Sequence, residues 1–304
     1  RDFVYAVVNR YKPRGASPLT FDGYGITDWV IWNEPNSLSR ESTQGARSFW
    51  TGTLEEYLTL LRAGYEGAHA ADPTCNVLNG ALADIFWAAG EQDLITALER
   101  LYDPNGDGDA ADGARPFFDS LNIHTYQPGP PDATWYEERL SAVINIMNRF
   151  GDHEKPIWIT ETGYGSVSTP APDLSYVSEE LQADAVDLVY QACSSFPQVE
   201  RVFWWSLRDY YASVPAAGRA MEAHYGLLRA SFMPKPAYLA YGRTTGHVGQ
   251  ILTLSALTNE EGVATVNVTG TFVGQPGAYI LFAQLEGVEP AVVMIYEAST
   301  HKGE

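Results

Sequence analysis

The chain contains no run of eighteen apolar residues, so no helical membrane span is expected. It has only two cysteines, Cys75 and Cys193, too few for a disulfide framework, and both are read as free thiols. Basic residues are scarce: 19 Lys and Arg stand against 38 Asp and Glu, a formal net charge of −19. Nucleic acid, whose phosphates need cations, is therefore an unsuitable partner, and neutral ligands are the default. No glycine-rich phosphate loop follows any apolar run, so there is no nucleotide signature. The chain opens on "RDFVYAVVNRYKPRG" with neither an initiator Met nor a signal-peptide pattern, as expected of a processed or trimmed product.

What remains is a globular composition, 45% hydrophobic and 12% aromatic over 304 residues, enough for one large domain with a small module. Eight Trp and eighteen Tyr suit a core, and also stacking on apolar faces such as those of sugar rings. From residue 26 apolar runs and helical stripes alternate. "ITDWVIWN", "CNVLNGAL" (75–82), "FFDSLNIHTY" (117–126), "KPIWITET" (155–162) and "RVFWWSL" (201–207) read as strands. Thr53 and Glu56 have capping-box spacing ahead of a stripe of Leu58, Leu61, Tyr65 and Ala68. A helix is expected around 92–101. Thr134 and Glu137 are expected to cap the next, and Ser178 opens another. Residues 1–11 form a helix striped by Phe3, Val7 and Tyr11, and a last one runs from about Lys235 to Tyr241.

Five strand–helix units in series predict an α/β fold with a parallel sheet. Polar residues gather at the strands' C-terminal ends: Asn33 and Glu34, Asn79, His124 and Tyr126, Glu161, Arg208 and Asp209. That placement fits a TIM-type (β/α) barrel over residues 1–246, with the active site at its C-terminal face. After about His247 short β runs follow without helices, an antiparallel module over 247–304. The "NVT" at Asn267 is read as chance rather than as a glycosylation site.

Glu34 and Glu161 end strands three apart, which face each other across a barrel mouth. Two carboxyls flanking one bond are what glycoside hydrolysis needs. The flanks "WNEPN" and "WITETGYG" resemble the clan A glycoside hydrolases, retaining (β/α)8-barrel glycosidases, over roughly residues 20–245, with a flavour of family 39 in "DPTCNVLNGALAD" and "YGLLRASFMPKPAY". The resemblance implies that Glu34 is the acid/base and Glu161 the nucleophile. It implies that Asn33 binds the sugar 2-hydroxyl and that Tyr126 hydrogen-bonds the nucleophile. It implies that Trp205, or less favourably Trp204, floors the sugar, with His124 in the same binding set. An acid/base Glu must hold a proton in the free enzyme, which burial beside Trp32 and a negative partner favours.

The reading this yields is a retaining β-glycosidase for neutral poly- or oligosaccharides, with no cofactor in catalysis. The alternative is a barrel remnant that binds carbohydrate without cleaving it. If "WNEPN" ends the fourth strand, strands one to three are absent, and with them the Arg and His that relatives place there. A fragment, a naturally shortened barrel and a gap filled by the C-terminal runs are the three explanations. The expectation is a shortened barrel closed by those runs or by a second subunit, as a homodimer, because open edges and a wet interior are hazardous. A secreted or extracytoplasmic location is expected. "DPNGDGDAADG" offers Asp103, Asn105, Asp107, Asp109 and Asp112 for a structural Ca2+, although Ala114 stands where a calcium loop has its bidentate Glu.

Overall fold

The structure, a computed structural model, describes residues 1–18, 20, 24–37, 49–84, 93–109, 112–166, 177–210 and 224–246, with the backbone of 278–283 and 291–296. Its elements follow the alternation in the sequence. They are α1 (Asp2–Tyr11), β1 (Asp28–Ile31), α2 (Leu54–Ala71), β2 (Asn76–Asn79), β3 (Leu82–Ala83), α3 (Leu94–Tyr102), β4 (Leu121–Thr125), α4 (Ala133–Arg149), β5 (Ile157–Thr162), α5 (Glu179–Ser194), β6 (Val199–Trp204) and α6 (Pro236–Thr244). Pairing within 28–204 is parallel, β1 to β2 and then β3–β4–β5–β6. This is an incomplete (β/α) barrel with helices on one side. Past residue 246 the described chain is an antiparallel pair, β7 (Ala278–Ala283) and β8 (Ala291–Tyr296). Whether that region covers the barrel lies outside the described residues.

The single run expected over 75–82 is two strands, the second reaching Ala83. Gly80 lies between them because the backbone of β1 passes too close for a side chain: a Cβ there would sit 2.7 Å from the Ile31 carbonyl oxygen. The buried Tyr57 hydroxyl stitches the break. It accepts from Gly80 N at 2.6 Å and donates to the Ile31 carbonyl at 3.1 Å.

The helices begin where capping chemistry starts them. Thr53 and Glu56 form the expected reciprocal box, and Ser178 Oγ accepts from Leu181 N. The cap of α4 is Asp132 rather than Thr134. A carboxylate two residues earlier takes the Thr134 amide at 2.9 Å, and Glu137 falls within the helix. The α1 stripe also differs. Val8 is buried with Val4 packed beside it, while Phe3 is 79% exposed. The buried face lies one residue on from the expected one. Gly67 of α2 allows this approach, since a Cβ there would meet the Arg1 carbonyl oxygen at 2.5 Å.

The core lies between sheet and helices: Val77, Leu82, Leu121, Ile123, Ile157 and Ile159 pack against the apolar faces of α2 to α5. Ile31 points into it, against Gly64 of α2. By strand alternation Val30 faces the barrel interior. There the middle and the edges part company. Leu78 is 0% exposed and Trp158 7%, but Val30 is 46% exposed and Phe203 of β6 is 45%.

Candidate active site

Glu34 follows β1 in a distorted turn. Trp32 has φ 79° and Glu34 has φ 45°, both in the left-handed region that side chains avoid. Such strain persists only where surroundings impose it, and it concentrates at functional positions. The constraints are visible. Glu34 N donates to the Ala81 carbonyl at 3.0 Å, and Ser37 N donates to the Glu34 carbonyl at 3.0 Å. Buried Asn36 clamps the turn from beyond. Its Nδ2 donates to the Ala83 carbonyl at 2.8 Å while its Oδ1 accepts from Ala83 N at 2.8 Å. The last residue of "WNEPN" thus helps to hold the turn that carries Glu34.

Glu161 comes from β5, inside the sheet. The β4–β5 register shifts between Ile123 and His124: Ile123 faces Ile159, and His124 faces Glu161. Thr160 is the residue inserted. Regular alternation sends consecutive side chains to opposite faces, and a bulge relaxes that rule. Thr160 and Glu161 can therefore both reach His124.

His124 holds the centre. Its side chain is 2% exposed, against 16% for Glu34 and 22% for Glu161. Nδ1 lies 2.7 Å from Glu34 Oε1 and 3.6 Å from Glu161 Oε2, and Nε2 lies 3.1 Å from Thr160 Oγ1. Both ring nitrogens are engaged inside the protein. His124, expected in the substrate-binding set, bridges the two carboxylates. Tyr126 donates to Glu161 Oε2 at 2.8 Å, as the resemblance implied. Burial first, and then the Glu161 charge, pushes its phenol well above the usual value, so it stays a donor.

Trp204 lies elsewhere than a sugar floor would. It is buried in the helix-side core, its ring stacked on Tyr164 with centroids 6.5 Å apart, and its Nε1 donates to the Tyr225 carbonyl. At 9% exposure it packs into the core rather than presenting its ring to solvent. Trp205 is half-buried just past the strand end, and its backbone N–H donates to the Thr162 carbonyl. Asn33 is half-buried beside Glu34.

A ring nitrogen of His124 and one carboxylate oxygen from each of Glu34 and Glu161 lie within 4.8 Å of one another. Among the described residues this is the one group of three such side chains close enough to share a metal ion. One imidazole and two carboxylates would suit a transition metal, but hydrogen bonds from Tyr126 and to His124 already take the inward oxygens. The Asp103–Asp109 loop is organised differently. Asp103 accepts from the amides of Gly106, Asp107 and Gly108, Asn105 from Asp107, and Asp107 from Asp109. Its oxygens cap the turn's own backbone, and Asp112 is exposed.

Asn36, Thr160 and Asn122 were not singled out from sequence, and Asn79 was placed only at a strand's C-terminal end. The NEPN motif carried a signal for Asn36. For Thr160 the signal was against it, because period-two reading turns it away from Glu161.

Residues 108–231 match the family model described as glycosyl hydrolase catalytic core. No curated protein matches the chain. Among solved structures it is similar to a GH2 β-galacturonidase from Eisenbergiella tayi bound to glycerol (18% identity, 76% of this chain and 35% of that one, TM-score 0.47). It is similar to a family 39 glycoside hydrolase from Bacteroides cellulosilyticus WH2 (20% identity, 80% and 42%, TM-score 0.47). A β-glucuronidase from Faecalibacterium prausnitzii is similar at 18% identity (72% and 31%, TM-score 0.47). The chain thus spans less than half the length of each.

Proposed function

We propose that the chain is a retaining β-glycosidase that cleaves neutral poly- or oligosaccharides by double displacement. The observation that carries this reading is the approach of Glu34 and Glu161 carboxylate oxygens to within 4.8 Å. Retaining enzymes hold their carboxyls about 5–5.5 Å apart, whereas inverting ones leave about 6.5–9.5 Å for a water. In the first step Glu161 attacks the anomeric carbon, the glycosidic C–O bond breaks, and Glu34 gives its proton to the departing oxygen. In the second, Glu34 takes a proton from water, which displaces Glu161 from the sugar. Tyr126 stabilises the Glu161 carboxylate whenever it is free. Trp205 offers an apolar face to the ring.

A second reading, sugar binding without cleavage, is favoured by one feature. Among the described residues the interior face beside Glu34 is open, with Val30 46% and Trp32 49% exposed, and none of them walls that side of a cleft. A panel of aryl β-glycosides and neutral polysaccharides separates the two. Turnover that disappears in Glu161→Gln supports hydrolysis. Calorimetric binding of an oligosaccharide without turnover, unchanged in Glu161→Gln, supports the second reading. A structural Ca2+ in the 103–112 loop is a separate proposal, tested by the shift in Tm on adding calcium after chelation. A covered open edge, by residues past 246 or in a homodimer, is another, tested by sedimentation.

A further inference from the structure

We propose that Thr160 is a positioning residue that fixes the tautomer of His124 and so keeps the transferable proton in the Glu34–His124 contact. This rests on the reading of Glu34 as the acid/base. The Asn79 carbonyl can only accept, so the Asn122 atom facing it at 3.3 Å is the amide nitrogen. Asn122 Oδ1 then faces Thr160 Oγ1 at 2.7 Å, and an amide oxygen can only accept. The single hydroxyl proton of Thr160 is thereby committed. Toward His124 Nε2, 3.1 Å away, Thr160 presents only lone pairs, and Nε2 must carry a hydrogen.

Nδ1 is left facing Glu34 Oε1 at 2.7 Å. In a neutral imidazole protonated at Nε2, Nδ1 is a bare acceptor. Two bare acceptors at that distance repel, so the contact needs a proton of its own. That proton is the one Glu34 delivers. When it leaves for the glycosidic oxygen, lone pairs face each other in a buried setting, which favours its recovery from water in the second step. The opposite tautomer would fill the contact with the ring's own hydrogen and leave Glu34 a carboxylate, unable to act as acid. Asn79 and Asn122 are 0% exposed and His124 is 1%, so no solvent competes for these bonds. The bulge at Thr160 makes the arrangement possible, placing its hydroxyl and the Glu161 carboxylate on the same imidazole.

Imidazole 15N NMR of the whole chain tests this without a substrate. The wild type is expected to show His124 Nε2 carrying a hydrogen, Thr160→Ser to preserve that state, and Thr160→Val to show mixed tautomers. A bare Nε2 in the wild type, or an unchanged tautomer in Thr160→Val, overturns the proposal. The wild-type spectrum decides even if Thr160→Val does not fold. Kinetically, Thr160→Val should slow glycosides with poor leaving groups about 10- to 100-fold more than activated ones, with Thr160→Ser near wild type. An equal loss on both substrate types means that Thr160 acts only on structure. If the wild type cleaves no glycoside, the enzymatic reading fails, while the spectrum still decides the tautomer.

Discussion

Glu34 and Glu161 meet at one histidine, yet the chain delivers them by different means. Glu161 is the fifth residue of a six-residue strand that is hydrogen-bonded to β4 on one side and β6 on the other. Glu34 comes three residues after a four-residue strand whose described pairing is to β2 alone. The sheet itself places Glu161, with one bulge to aim it. Glu34 depends on a few side-chain clamps, Asn36 of its own turn bonded to Ala83 of β3 and Tyr57 of α2 across the Gly80 gap, which hold a left-handed backbone against its preference. A ladder spreads its constraint over many weak bonds, while a clamp concentrates it in a few. The two carboxylates should therefore respond differently to mutation, both in chemistry and in what holds them.

The largest effect is expected on the ladder side. Glu161→Ala removes the nucleophile and should lower kcat by about 10⁴-fold or more, with azide partly restoring turnover as a glycosyl azide of inverted configuration. Glu34→Ala should cost about 10²- to 10⁴-fold on glycosides with poor leaving groups and little on activated ones. If both classes suffer equally, Glu34 is not the acid. Asn36→Ala tests the clamp. It strips both backbone groups of Ala83 of their buried partners and should destabilise the chain by about 2–4 kcal/mol, measured by urea unfolding. A loss under about 0.5 kcal/mol, within the range of an ordinary surface substitution, would mean that the turn is held by something else. Tyr126→Phe deletes one hydrogen bond to the charged nucleophile and should reduce kcat about 10- to 100-fold without lowering Tm.

The smallest effect concerns Asp84, next to the clamped Ala83. Burial pushes its carboxyl up to about 6, with Arg139 opposing. An unfolded Asp titrates near about 3.9. A carboxyl whose folded value is raised contributes stability that is complete below the unfolded value and is lost as pH rises through the folded one. Wild-type Tm should accordingly fall, relative to Asp84→Asn, between about pH 4 and 6. Parallel Tm curves for the two proteins would contradict it.

The same contrast decides what the sequence could reveal. The alternation of apolar runs and capped helices was legible because each is a local signal, and the parallel sheet followed from it. Glu34 and Glu161 stood out through their flanking residues. The helix-side burial of Trp204 was not legible, because two adjacent tryptophans look alike until strand parity is known. The role of His124 was half legible: its place beside Tyr126 was clear, but which groups meet its nitrogens depends on Thr160, which a bulge turns inward. Period-two reasoning fails at a bulge, and here the bulge lies at the nucleophile. The buried face of α1 lies one residue on from the stripe of Phe3, Val7 and Tyr11, because helical spacing alone does not show which face meets a neighbour, and the close approach at Gly67 is a tertiary contact.

The central claim is that Glu34 and Glu161 act as one double-displacement pair. It is tested most directly by incubating the protein with a panel of activated 2-deoxy-2-fluoro-β-glycosides and mapping the adduct by peptide mass spectrometry. One glycosyl group on the peptide that carries Glu161, absent in Glu161→Gln and released by water with retained configuration, is the predicted result. Hydrolysis that yields the inverted anomer with no adduct, or a label on Glu34, would contradict it.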